Sequence, residues 1–202
     1  MKKKIYLCLI LLLANFFGLV TAYSDGNNSV EDSLKTIYLN YEQKITDIIS
    51  SEKIDKSKVS ILIEKAKYTL TIKYNGQPIK SYPVVFGDNP IDDKLRQGDY
   101  STPEGKFKIR DMYPHPDWSK FIWIDYPTKD SWQKHQEAKK KGLIPKNASI
   151  GGEIGIHGVV QGNDYLIDKK TNWTLGCISL KNKDINEVYS IVQKGTEMEI
   201  LH

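Results

Sequence analysis

Two short stretches hold the residues with chemistry in them. Thr174-Leu175-Gly176-Cys177-Ile178-Ser179 carries one of only two cysteines in the 202-residue chain, and Gly155-Ile156-His157-Gly158 places a histidine twenty positions before it. Thiol and imidazole together can do acyl transfer. A cysteine near its ordinary pKa of about 8.5 is only a few per cent thiolate at neutral pH, so a nucleophilic sulfur needs an imidazole or another positive group beside it. Gly176 adds a second feature: a residue without Cβ lets the chain turn sharply and bring backbone N–H groups beside the sulfur, where they would hold a tetrahedral oxyanion. Residue types and spacing alone leave the pair open between a nucleophile with its base and two inert buried residues. A metal site is disfavoured, because no second cysteine and no H-x-x-x-H spacing accompanies them. A thiol oxidoreductase is disfavoured because there is no C-x-x-C.

These residues must be positioned by a mostly β domain. Thr69–Tyr74 and Ile79–Phe86 alternate apolar and polar residues on either side of Asn75-Gly76, the dipeptide that most favours a tight hairpin turn. Further strands are expected at Lys106–Arg110, Phe121–Tyr126, Ile154–Val159 and Thr196–Leu201, so His157 falls inside a strand. Pro127 to Lys141 reads as an exposed helix. A second short helix, capped by Asn182 and ended by Gly195, carries Ile185, Val188, Tyr189 and Val192 at helical spacing. Upstream, Leu34, Ile37, Tyr38, Tyr41, Ile45, Ile48 and Ile49 recur every three or four positions, which predicts an amphipathic helix from Ser29 to about Ser50 that packs on the domain. The cluster Lys134, Lys139, Lys140, Lys141 and Lys146 reads as a solvated face.

The N-terminus sets the compartment. Lys2, Lys3 and Lys4 precede an apolar run from Ile5 to Val20 and the small-residue pattern Val20-Thr21-Ala22, which together read as a secretory signal cleaved after Ala22. Left uncleaved, the same run would anchor the protein to a membrane. The expected location is therefore outside the cytoplasm, in periplasm or cell wall. Cys8 leaves with the signal, and the formal charge falls from +4 to +1. A nearly neutral chain with no sustained basic stripe gives no reason to expect nucleic acid as a partner. Cys177 is then the only thiol, so no internal disulfide can form.

The residues also carry a family resemblance. Ile156-His157-Gly158 followed by Thr174-Leu-Gly176-Cys177-Ile-Ser179 resembles the signature of the L,D-transpeptidase catalytic domain, the YkuD type. Gly98-Asp99-Tyr-Ser-Thr102-Pro103-Glu-Gly105-Lys-Phe107 is similar to that family's D-x-x-T-P-x-G-x-F stretch, and Asp184 to Tyr189 with Gly195-Thr196 to its closing helix and strand. The resemblance divides the chain into a signal peptide (1–22), an N-terminal helical segment (23–66) and the catalytic domain (67–202). It implies a mainly β sandwich with helices at its margins, needing neither metal nor cofactor. Cys177 would be the nucleophile and His157 the general base and acid. The Gly158 carbonyl would orient the imidazole, the Gly176 N–H would face the oxyanion with that of Cys177, and Thr174 would support the turn. Trp173, Leu175 and Ser179 would meet substrate.

In the family the substrate is a peptidoglycan stem tetrapeptide. The acyl-enzyme forms with release of the terminal D-alanine and passes to another stem's amine, to the lysine of a wall-tethered protein, or to water. Two departures bear on the outcome: many members have His before the Gly-Cys pair and Arg two positions after the cysteine, where this chain has Leu175 and Ser179. A hydrolase on the same acyl-enzyme, an L,D-carboxypeptidase or amidase, is the alternative reading, and a non-catalytic wall-binding module the next.

Overall fold

A computed structural model describes residues 38–49 and 54–202. Eight strands follow in chain order: β1 (Val59–Glu64), β2 (Thr69–Tyr74), β3 (Gln77–Pro83), β4 (Gly105–His115), β5 (Ser119–Ile124), β6 (Gly155–Gly158), β7 (Ile178–Leu180) and β8 (Glu197–Leu201). Four helices accompany them: α1 (Ile45–Ile49), α2 (Lys129–Lys140), α3 (Tyr165–Asp168) and α4 (Asn182–Ile191). The strands form one sheet in the order β3-β2-β1-β8-β4-β5-β6-β7. The fold is thus mainly β, as the sequence predicts, and the sandwich takes the form of a single sheet curled on itself.

The curl has local causes. β4 serves two neighbours, pairing through Gly105–Lys108 with β8 and through Ile109–His115 with β5, and a register shift between Ile109 and Asp111 lets it bend between them. The ends of the strand order then meet, because Val85, just past β3, exchanges both backbone hydrogen bonds with Ser179 of β7 at 3.0 and 2.9 Å. That closure brings the chain after β3 against the Cys177 turn. Inside the curl lie Ile61, Ile63, Leu70, Ile72, Phe107, Ile122, Ile156, Ile178 and Met198, all buried, and α4 packs on β5 and β6 through Ile185 and Val188. The β2–β3 turn is the expected one, with Asn75 and Gly76 at φ +52° and +77°.

Several sequence expectations need correcting. β1 lies before the expected domain start at 67, alternates buried and half-buried residues along its length, and joins the sheet between β2 and β8. Of the long N-terminal helix, residues 29–37 and 50 lie outside the described residues, as does the signal segment. Only Ile45–Ile49 is helical among residues 38–49. Residues 38–44 turn instead, because β3 is an edge strand whose polar groups need partners. Leu39 O accepts from the Ser81 N–H (2.9 Å), Leu39 N–H donates to Ser81 Oγ (2.7 Å), and Asn40 Nδ2 donates to Ile79 O (2.9 Å). This segment still packs on the domain: Tyr38, Tyr41 and Ile45 are buried, and the Tyr41 hydroxyl donates to Asp184 on α4 at 2.8 Å. α2 is not merely exposed, since Ser131, His135 and Ala138 are buried. α4 starts at Asn182 with Lys181 as its cap residue and closes at Ile191, four residues before Gly195.

Candidate active site

The curl sets β6 and β7 side by side and parallel, with Ile156 opposite Ile178 and His157 opposite Ser179. Cys177, immediately before β7, therefore lies level with Gly155, and His157 is two residues further along the same face. Cys177 is half-buried. Its thiol donates to the Glu153 carbonyl at 3.6 Å, and the Gly155 N–H reaches the sulfur from β6. Gly155 must be glycine, because a Cβ there would stand 2.5 Å from two carbons of the Phe121 ring.

His157 is 2% exposed. Its Nδ1 lies 2.7 Å from the Gly158 carbonyl, an acceptor only, so Nδ1 carries the proton and Nε2 keeps the lone pair a base needs. Trp118, from the β4–β5 hairpin, stacks on the ring at 4.4 Å between centroids, Phe121 lies parallel at 5.8 Å, and Trp173 meets it edge-on at 5.5 Å. The hairpin is held in place by a hydrogen bond from the Gly158 N–H to Trp118 O (3.0 Å). Burial among these rings, opposed by the Gly158 carbonyl, lowers the His157 pKa from 6.5 to about 4. Burial also raises the Cys177 thiol to about 11, against the Gly155 N–H and the Lys94 charge, which lower it, and with Glu153, which raises it. Both groups are therefore neutral at pH 7. A neutral base thus stands near a neutral thiol, and among the described residues no hydrogen bond joins the two.

The turn before Cys177 is fastened by Thr174, whose Oγ1 donates to Cys177 O (2.7 Å) and accepts from the Gly176 N–H (3.2 Å). That bond occupies the Gly176 N–H expected to face an oxyanion, which leaves the Cys177 N–H, without an acceptor among the described residues. Ser179 is fully buried with its Oγ 3.5 Å from Gly158 O, so it backs the carbonyl that orients His157 and cannot touch substrate. Leu175 is 74% exposed beside Cys177, and Trp173 is half-buried, packed against Val85, Val159 and Ile167.

Sequence reasoning missed what lies behind the turn. Gly176 has φ +136°, and a Cβ on it would stand 2.7 Å from Ser101 O. Asp99, from the stretch similar to D-x-x-T-P, accepts from Lys94 Nζ and from the N–H groups of Leu95, Arg96 and Ser101. That motif thus shapes the loop that backs the cysteine, and the D-x-x-T-P pattern from Asp99 to Pro103 was the signal the sequence offered. Burial pushes the Asp99 carboxylate up, and those donors outweigh it and hold the group below the usual range. Trp118 and Phe121 gave none, because their contact with His157 crosses strands. Among the described residues no group of three or more His, Cys, Asp or Glu side chains is placed to hold a metal ion.

A cysteine on a glycine turn lies one strand from a histidine oriented by its neighbour's carbonyl, an arrangement whose residue types can do thiol acyl transfer. Residues 58–200 match the L,D-transpeptidase catalytic domain family, YkuD, and the chain belongs to it. The fold is also that of Bd1075 from Bdellovibrio bacteriovorus (TM-score 0.51, 21% identity, 75% of this chain and 50% of that one). It is likewise that of the helical cell shape determining protein Pgp2 from Campylobacter jejuni (TM-score 0.52, 22% identity, 70% and 46%). The match spans about half of each of those two chains. No curated protein matches the sequence significantly.

Proposed function

We propose that this protein is an exported L,D-transpeptidase acting on peptidoglycan stem tetrapeptides through an acyl-enzyme on Cys177. The observation that carries the reading is the pairing of His157, its Nδ1 proton fixed on Gly158 O, with Cys177 one strand away on the same face. As sulfur attacks the carbonyl of the third stem residue, Nε2 of His157 takes the thiol proton, and the free N–H of Cys177 faces the oxyanion. The tetrahedral intermediate collapses, the C–N bond to D-alanine breaks, and the imidazolium returns the proton to the leaving amine. A neutral acceptor amine then attacks the thioester and gives its proton to His157, and the thiolate leaves and is reprotonated.

Water is present at about 55 M, so transfer to an amine requires that the acceptor be held close to the thioester. The exposed Leu175 stands two residues before Cys177, and Val160, ahead of α3, and Tyr165, its first residue, are exposed as well. These are the surfaces we assign to the acceptor. The test is incubation of the purified protein with a disaccharide tetrapeptide and mass analysis of the products. Transpeptidation gives dimers joined through two third-position residues plus free D-alanine. Tripeptide and D-alanine alone, at saturating acceptor, replace the transpeptidase reading with the hydrolase one.

A further inference from the structure

The loop between β3 and β4 is pinned to the domain by three side chains. Buried Lys65 donates to Glu104 Oε1 and to Asp92 O, both at 2.8 Å, Lys134 of α2 pairs with Asp93 at 2.5 Å, and buried His135 meets Leu95 O at 2.6 Å. A further buried lysine, Lys94, is not needed to fasten the loop to another element, since its partners, Asp99 Oδ1 (2.7 Å) and Arg96 O (3.2 Å), belong to the loop itself. It is nevertheless 5% exposed, and burying an ammonium is costly. Its position distinguishes it: Nζ lies 3.6 Å from where a Cβ on Gly176 would stand, immediately before the nucleophile. Asp99 shares its charge with three backbone N–H groups as well, so its carboxylate is satisfied within the loop while the ammonium abuts the turn.

We propose that Lys94 is a positioning residue for the reaction, a buried ammonium set against the Gly176–Cys177 turn that stabilises negative charge on the sulfur as it loses its proton. The proposal rests on the reading of Cys177 as the nucleophile. Besides the neutral His157 on the same face, the Gly155 N–H favours a thiolate and Glu153 opposes it, and the Lys94 charge acts in the favourable direction. Where burial disfavours a thiolate this strongly, a fixed positive charge is what makes one reachable during attack.

The test measures sulfur ionisation directly and needs no stem peptide. Iodoacetamide alkylation of Cys177 is followed by peptide mass mapping from pH 6 to 10 in the full-length protein and in the Lys94→Met, Lys94→Arg and Asp99→Asn variants, with thermal melts as the folding check. Lys94→Met should slow alkylation at pH 8 about tenfold, the effect of a one-unit rise in thiol pKa. Lys94→Arg should restore most of the rate. Asp99→Asn, which leaves the ammonium in place and removes its counter-charge, should speed alkylation. Since either variant breaks the same ion pair, a purely structural role moves both rates in one direction, and that result overturns the proposal. An unchanged rate in Lys94→Met overturns it too. Should Lys94→Met fail to fold, Asp99→Asn decides alone, and a rate equal to or below wild type overturns the proposal. Absence of stem-peptide turnover with these shifts intact would sink the proposed activity and leave the Lys94 role standing.

Discussion

Gly158→Ala tests whether the orientation of His157, and not merely its presence, makes the site work. A Cβ at residue 158 would overlap Asn182 Oδ1, stand 2.7 Å from Trp118 O and 3.1 Å from Ile185 Cγ2. The amide side chain of Asn182 can swing away. Trp118 O cannot, because it accepts the Gly158 N–H at 3.0 Å and belongs to the hairpin that stacks Trp118 on His157 at 4.4 Å. Overpacking against backbone costs about 1–3 kcal/mol, which in a domain of this size lowers the melting temperature by about 3–10 °C. The larger effect falls on catalysis, since the carbonyl that holds Nδ1 at 2.7 Å is on the displaced residue, and about 1 Å of misplacement costs roughly a hundredfold. The assay is kcat/KM for D-alanine release from a tetrapeptide, measured well below the melting temperature. Adding Asn182→Ala should recover part of the stability and little of the activity. Wild-type kcat/KM in Gly158→Ala would refute the claim that this carbonyl sets the imidazole.

Cys177→Ala should abolish turnover while leaving the melting temperature nearly unchanged, since the side chain is small and half-buried; measurable turnover in the folded variant removes the nucleophile. Because burial holds His157 near pKa 4, its base form persists in mild acid, and kcat/KM at pH 5.5 should stay within about twofold of its value at pH 7.5; a tenfold fall, as for a histidine at 6.5, contradicts a buried base. The lowered His157 pKa makes stability fall as pH drops from 6.5 through 4, and the Asp184 pKa, raised by burial from 3.8 to about 6, makes it rise as pH drops from 6 through 3.8. Asp184→Asn removes the second contribution, so urea titrations should show stability lost on acidification more steeply than in wild type, by on the order of 3 kcal/mol at pH 4; parallel profiles contradict it. Tyr41→Phe deletes the hydroxyl bound to the Asp184 carboxylate and should cost about 1–3 kcal/mol, with faster proteolysis near residues 38–49; a variant as stable and resistant as wild type would show that this contact does not hold the segment.

How far the sequence alone reached depended on the range of the physics. Alternation and a two-residue turn fix β2, the turn and β3 locally, because side-chain direction has period two and Asn-Gly tolerates positive φ. The family followed from short ordered motifs, and with it the expected roles of Cys177 and His157, which residue types and spacing alone leave open. β1 was passed over although its alternation is regular, since its identity as a strand is secured by pairing with β8 at the other end of the chain. Residues 38–44 keep apolar spacing that suits a helix, yet they turn, because the open edge of β3 offers hydrogen bonds that the periodicity of the segment does not encode. Ser179 looks available next to a cysteine and is buried, because the closure through Val85 covers β7. The neutral state of His157 and Cys177, the loss of the Gly176 donor to Thr174, and the ammonium of Lys94 behind the turn were decided only by the tertiary structure. Each depends on groups brought together across strands, where burial and charge act through space and leave no periodicity in the chain.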